Sequence, residues 1–235
     1  MKNEESAMTD ERERLIEAAL SHVIFEGMGE KAIAEGARDI GMNPALARVY
    51  LPRGGADLAA AYHRKGDAAL RDWLAAHPPE GRFRDRISAA VMHRLSLSNR
   101  ELARAGAAIL ALPQNAALGA RLVWETADAI WDGLGDRSED VNWYSKRATL
   151  SAVYGATVLY WLGDDSPEAD ETRRFLDRRI EGVMRFESFK ERVGGLPGVS
   201  MLAGLATGWI KRPENRNLPG ELRATSRART EGGDG

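Results

Sequence analysis

The spacing of apolar residues near the start of the chain predicts an amphipathic helix in residues 10–26. Five side chains recur at intervals of three and four residues and so share one face: Leu15, Ala18, Ala19, His22 and Val23. Similar spacing predicts short helices at 31–40 and 44–50, with Gly41 and Pro44 marking the turn between them. Three helices joined by short turns within residues 10–50 indicate a helix-turn-helix unit.

The rest of the chain continues with helical spacing and shows no strand-like alternation. Further helices are predicted at 56–76, 82–98, 100–111, 115–134, 142–162 and 166–191. Composition agrees, because the chain has 36 Ala and 24 Leu against 10 Val and 9 Ile. The predicted fold class is therefore all-α, a helical bundle with an N-terminal helix-turn-helix unit and a C-terminal amphipathic helix.

These patterns divide the chain into five segments. Residues 1–9 are predicted to be a disordered N-terminus, and residues 10–77 to form the helix-turn-helix-like unit with its connecting helix. Residues 82–192 are predicted to form a helical bundle, and residues 193–212 an amphipathic helix. Residues 213–235 lack apolar periodicity and are predicted to be a disordered tail.

The residue types present argue against catalysis by this chain. The absence of cysteine excludes disulfides, thiolate metal sites and a cysteine nucleophile. None of the four histidines has a Glu three residues before it, so the Glu-x-x-His pairs of helical di-iron proteins are missing. No His-Glu-x-x-His, Gly-x-Ser-x-Gly or Walker-type motif occurs. We therefore expect no metal, no cofactor and no enzymatic activity.

The net charge of −2 is a sum of opposite regions. Residues 1–75 contain 10 Lys and Arg against 13 Asp and Glu, whereas a DNA-binding module needs basic residues that neutralise phosphates. The helix at 44–50 offers only Arg48 as a long basic side chain. The order of elements over residues 15–65 nevertheless resembles the DNA-binding half of TetR-type regulators. A regulator that senses a lipid-like effector is therefore the alternative function.

The C-terminal region combines an apolar helix face with excess positive charge. Residues 185–216 contain six Lys and Arg against three Asp and Glu. This combination is typical of a helix that lies in a membrane interface. A helix packed on its own domain or on a dimer partner, and a spanning helix, are the alternatives. The predicted membrane-binding residues are Leu196, Val199, Leu202, Leu205, Trp209, Ile210, Lys211 and Arg212.

The start of the chain bears on localisation. Its first fourteen residues are acidic and contain no apolar run, unlike a secretory signal or a mitochondrial transit peptide. We therefore expect a cytoplasmic protein, associated peripherally with the inner membrane through residues 193–212.

An aromatic stripe marks the helix predicted at 142–162. Trp143, Leu150, Tyr154 and Trp161 share one helical face, which is usually a core face. Trp143 and Tyr144, however, lie in the first turn beside a charged loop, where we expect at least one ring to face solvent. Exposed aromatic rings beside arginine anchor protein interfaces. Core packing and a partner site are both open for these two rings.

Three motifs in this half of the chain resemble a known family. They are Asn142-Trp143-Tyr144-Ser145-Lys146-Arg147-Ala148, the turn Asp164-Asp165-Ser166-Pro167, and the run from Arg174 to Ile180. Together with Tyr154 they resemble the ubiquinone-biosynthesis accessory family named as the ninth protein of the coenzyme Q pathway. The resemblance spans about residues 10–210. Because the acidic N-terminus does not resemble the transit peptide of mitochondrial members, we expect a bacterial member of the family.

The resemblance implies a TetR-like, all-helical homodimer without catalytic activity. Members of the family hold a lipid, an isoprenoid quinone or another, in a pocket between helices and present ubiquinone precursors to the membrane-bound di-iron demethoxyubiquinone hydroxylase. Carried over by motif, the partner-binding residues are Trp143, Tyr144, Arg147, Asp140 and Ile130.

Helical faces alone suggest which residues line the lipid pocket. Pockets between bundled helices that are lined by aliphatic and aromatic side chains suit prenyl tails. The predicted lipid-binding residues are Leu110, Leu122, Trp124, Leu150, Tyr154 and Val158.

Overall fold

The computed structural model describes residues 2–136 and 141–194 and contains only helices and turns within those ranges. The prediction of an all-α fold is thereby confirmed. The helices are α1 (Lys2–Glu26), α2 (Glu30–Asp39), α3 (Pro44–Tyr50), α4 (Gly55–Ala76), α5 (Phe83–Ser96), α6 (Arg100–Leu110), α7 (Ala116–Gly133), α8 (Val141–Leu162) and α9 (Asp170–Gly194). Short 3₁₀ turns at Pro113–Asn115 and Pro167–Ala169 precede α7 and α9.

Side-chain caps explain why two of the helices begin where the sequence predicts. The Asn43 side chain accepts a hydrogen bond from the Ala45 amide at 2.8 Å, and Pro44 follows as the first helical residue. The Asn99 side chain accepts in the same way from the amides of Glu101 and Leu102. Each cap satisfies amides that the helix itself leaves without partners.

Two helix starts differ from the predictions by four residues or more. Helix α1 starts at Lys2, so most of the segment predicted to be disordered is helical. The segment has no Gly or Pro and is rich in good helix formers, which outweighs its lack of an apolar face. Helix α9 starts at Asp170, because Pro167–Ala169 forms its own turn. The predicted helix beyond residue 194 and the tail at 213–235 lie outside the described residues.

The N-terminal helices pack on one apolar cluster. It contains Leu15, Ala19 and Val23 of α1, Ile33 and Ala37 of α2, and Leu58 of α4, all buried. Helices α1 and α2 approach closely at Gly36, where an added Cβ would lie 2.4 Å from the Ala19 backbone nitrogen. The pair therefore depends on a residue without a side chain.

A second cluster fills the bundle formed by α4, α5, α7, α8 and α9. Its buried members include Leu70, Val91, Ile130, Leu150 and Leu176. Helix α4 belongs to both clusters, because Leu58 near its start lies in the first and Leu70 in the second. Through α4, the three-helix N-terminal unit is fixed onto the bundle.

The contact at Gly36 yields a stability test. Gly36→Ala should lower the free energy of unfolding by about 1–3 kcal/mol, because its new methyl group collides with the α1 backbone. Gly182→Ala in α9 is the matched control: a Cβ there meets nothing within 4 Å, so it should stabilise by about 0.5–1 kcal/mol. Urea denaturation followed by circular dichroism measures both. Equal stabilisation by the two variants would contradict the close approach.

Candidate functional site

A fully buried arginine joins helices α7 and α8. The guanidinium of Arg147 donates hydrogen bonds to the carboxylates of Asp128, Asp132 and Asp136. These acids are spaced four residues apart, so those within α7 share one face, and Asp136 follows just beyond the helix end. An unpaired guanidinium would be costly at this depth. The three carboxylates therefore hold α8 in its position on α7.

Trp143 lies beneath this ion cluster. The centre of the Arg147 guanidinium is 4.1 Å from the Trp143 ring centroid, which is a cation–π distance. The ring also packs edge-on against Tyr144 at 4.8 Å and tilted against Trp124 at 6.1 Å. Only 8% of Trp143 is exposed. Of the two alternatives open for Trp143, the structure shows core packing, because the ring forms the underside of a buried ion cluster.

The other predicted partner-binding residues are placed differently. Ile130 is fully buried in the bundle core, and Arg147 is fully buried among carboxylates, so neither presents its side chain to a partner. Tyr144 is half-buried and is the accessible ring of the pair. Asp140 lies outside the described residues. The docking role itself stays a prediction.

A cavity of about 270 Å³ lies between α4, α5, α6, α7 and α8. Four of the predicted lipid-binding residues line it: Leu110, Leu122, Tyr154 and Val158. The other two do not, because Trp124 packs on Trp143 and Leu150 faces a different cleft. Small residues on several helices leave the space open: Ala59, Ala103, Gly106, Ala107, Gly119 and Gly155. We refer to this space as the central cavity.

One wall of the central cavity is polar. Behind it the buried Asp67 carboxylate accepts hydrogen bonds from Arg94 Nε at 2.7 Å and from the Thr126 hydroxyl at 2.9 Å. His63 Nε2 lies 2.8 Å from the Thr126 oxygen. Because the hydroxyl proton of Thr126 is directed to Asp67, we assign the Nε2–H tautomer to His63. His63 and Arg94 line the cavity, as does Tyr154.

The polar wall is uncharged apart from its compensated ion pair. Burial lowers the pKa of His63 below its ordinary value of 6.5, and burial raises the pKa of Tyr154 to about 12. At neutral pH the wall therefore presents a neutral imidazole and a protonated phenol. Groups of this kind suit the uncharged oxygens of a phenol or a quinone. Sequence reasoning considered His63 only as a metal ligand; its spacing of four from Asp67 on α4 was the available signal.

The described residues also bear on metal binding, membrane spanning and DNA binding. Within residues 2–136 and 141–194, no cluster of His, Cys, Asp or Glu has a metal-binding arrangement, and no helix is long and apolar enough to cross a membrane. Helix α3 exposes Leu46 and Val49, and the Arg48 Nε lies 4.0 Å from a Glu30 carboxylate oxygen. This face has little of the positive charge that phosphate contacts require.

Comparison with known proteins identifies the family. The COQ9 family model matches residues 116–187, which include Arg147 and its three carboxylates. The Ubiquinone biosynthesis protein COQ9, mitochondrial, of Xenopus tropicalis is 30% identical over 206 residues, covering 83% of this chain and 64% of that protein. The protein of the same name from Homo sapiens is 30% identical over 216 residues, covering 82% of this chain and 63% of that protein. The chain belongs to the COQ9 family.

The resemblance deduced from the Trp-Tyr motif is thereby confirmed. This chain spans less than two thirds of the length of these two relatives. A TetR transcriptional regulator from Nitrosomonas europaea matches with a TM-score of 0.57 and 16% identity, covering 73% of this chain and 97% of that chain. At this identity the likeness concerns the fold alone, and it confirms the predicted TetR-like architecture.

The ion cluster around Arg147 predicts a large loss of stability when the arginine side chain is removed. Arg147→Ala should lower the free energy of unfolding by about 3–5 kcal/mol, because three carboxylates then lose their buried partner. Arg174→Ala is the control, since Arg174 pairs with Glu171 at the surface and should cost at most about 1 kcal/mol. Chemical denaturation measures both values. Similar, small losses would show that the cluster does not hold α8.

The neutral state of His63 predicts a pH-dependent stability. In the unfolded chain His63 takes up a proton near pH 6.5, whereas in the folded chain it stays neutral to lower pH. The unfolded state then binds more protons, so stability is lost as pH falls below 6.5. His63→Gln, which keeps a donor for Thr126, should remove that part of the loss. The comparison requires unfolding free energies between pH 7.5 and 5; identical pH profiles for the two proteins would contradict the prediction.

Proposed function

We propose that this chain is a non-catalytic accessory protein of ubiquinone biosynthesis. In this proposal it binds an isoprenoid quinone precursor and presents it to the di-iron demethoxyubiquinone hydroxylase at a membrane surface. The names of its relatives in the COQ9 family support the pathway. The observation that carries the proposal is the central cavity, whose apolar walls end in one neutral polar wall.

The two kinds of wall correspond to the two parts of such a ligand. The aliphatic walls formed by Leu110, Leu122 and Val158 suit a prenyl chain, and His63 and Tyr154 suit the oxygens of the ring. A volume of about 270 Å³ lies just below the roughly 300–1,000 Å³ of common ligand sites. The cavity would therefore enclose the ring and the start of the chain, and the remaining isoprene units would extend beyond it.

The hydroxylase would dock where α8 begins. There the half-buried Tyr144 ring rests on Trp143, which Arg147 holds in place. In this proposal Tyr144 contacts the partner, whereas Trp143, Arg147 and Ile130 position the surface from beneath. In this proposal residues 193–212 bind the membrane surface, as their apolar face and basic flank predict.

We also propose that the chain acts as a homodimer. The C-terminal half of α8 exposes Leu159 and Tyr160, and the Tyr160 ring stacks on Phe175 of α9 at 4.4 Å. An apolar patch made by two adjacent helices suits a self-complementary interface.

Filling the central cavity tests lipid binding directly. Gly155 lines the cavity and has only Val123 near the position of an added Cβ, so Gly155→Leu should occupy the space that a ligand needs. Isoprenoid lipid in organic extracts of the purified variant, measured by mass spectrometry, should fall by about tenfold.

Gly182→Leu introduces the same side chain at an exposed site of α9 and should leave the lipid content unchanged. Both variants should keep the helical circular dichroism spectrum of the parent. Equal lipid content in the two variants would refute the central cavity as the binding site.

A further inference from the structure

A second cleft lies on another face of α8. It has a volume of about 470 Å³ and lies between the start of α5, the end of α7, the first half of α8 and α9. It shares no lining residue with the central cavity. Its size falls within the roughly 300–1,000 Å³ of common ligand sites. The apolar floor consists of Ile87, Leu134, Leu150, Val153, Ile180 and Val183.

One charged side chain in this cleft has an unused buried donor. Arg86 Nη2 donates to the Leu134 carbonyl at 3.0 Å, whereas Arg86 Nε is buried and meets no acceptor among the described residues. Among the described residues, no carboxylate lies within ion-pair distance of Arg86. A buried donor without an acceptor is unfavourable, and one on a guanidinium is especially so. An anionic oxygen supplied by a ligand would satisfy it.

The other two cations that line the cleft have carboxylate partners, so Arg86 is the lining cation without one among the described residues. The Lys146 amino group donates to Asp136 at 2.9 Å, and the same carboxylate also accepts from Arg147. Arg84 is half-exposed and lies 3.4 Å from Asp85. Asp136 is thus the one carboxylate among the described lining residues, against the cations Arg84, Arg86 and Lys146. The Arg86 guanidinium therefore favours an anion over a cation or a neutral group.

Aromatic rings form the side of the cleft nearest Arg86. Phe83 stacks on Trp131 with ring centroids 4.9 Å apart, and the Arg86 guanidinium lies 6.0 Å from the Phe83 centroid. The cleft thus combines an apolar floor, an aromatic side and the cationic Arg86. A molecule that fits all of them has an alkyl chain and an anionic head.

We propose that this cleft binds a long-chain amphiphile whose anionic head group, a carboxylate or a phosphate, accepts hydrogen bonds from Arg86. Its chain lies on the floor formed by α8 and α9. The site differs from the central cavity in its charge, because the polar wall there is neutral and suits an uncharged ring.

Calorimetric titration of the full chain, after lipid removal, tests the proposal. Dodecanoate should bind with saturation, dodecanol more weakly by about tenfold, and inorganic phosphate alone without measurable heat. Arg86→Gln should weaken dodecanoate binding by about tenfold, since it removes the charged donor. Arg82→Gln removes an exposed arginine outside the cleft and should leave binding unchanged.

Two further variants make the outcome decisive. Gly155→Leu fills the central cavity and should leave dodecanoate binding unchanged. The proposal for the second cleft can therefore fail while the central cavity still binds isoprenoid lipid, and the reverse. Val183→Trp fills the cleft itself and should abolish dodecanoate binding. This variant tests the site independently of Arg86→Gln, so the test does not depend on whether Arg86→Gln folds. Equal affinity for dodecanoate and dodecanol, or full binding by Val183→Trp, would overturn the proposal.

Discussion

The buried Arg147 guanidinium is the interaction on which the arrangement of this bundle depends. It gathers the carboxylates of Asp128, Asp132 and Asp136 and thereby fixes α8 against α7. A buried charge tolerates little displacement, because moving away from its partners leaves it uncompensated. The position of α8 in turn sets the Trp143–Tyr144 pair, the central cavity and the second cleft. The ion cluster, which contains Arg147 of the Asn142–Ala148 motif, therefore fixes the helix that lines both candidate ligand sites.

The two sites on α8 differ in the physical property that selects a ligand. In the central cavity, Asp67 and Arg94 neutralise each other, and burial keeps His63 and Tyr154 uncharged. In the second cleft, Arg86 has a buried donor without an acceptor among the described residues. The first arrangement favours a neutral ring with an apolar tail and the second an anionic head. This pair of sites supports the proposed role in lipid binding.

Most helices followed from the sequence because their signals are local. Asn43 and Asn99 are caps that act within three residues, and apolar spacing marks the core faces. The burial of Trp143 did not follow, because it depends on carboxylates contributed by another helix. The placement of Trp124 and Leu150 outside the central cavity did not follow for a related reason: helical periodicity identifies an apolar face but not which of two neighbouring spaces each side chain lines. The polar wall was missed because His63, Arg94 and Thr126 meet only in the folded chain.

Reconstitution of the hydroxylation reaction tests the central claim most directly. The di-iron demethoxyubiquinone hydroxylase would be supplied with its prenylated substrate in phospholipid vesicles, and product would be quantified with and without the full chain. If the proposed function is correct, the chain increases the rate of product formation by the hydroxylase and forms no product by itself. A rate that is the same with and without the chain, or product formed by the chain alone, would contradict it.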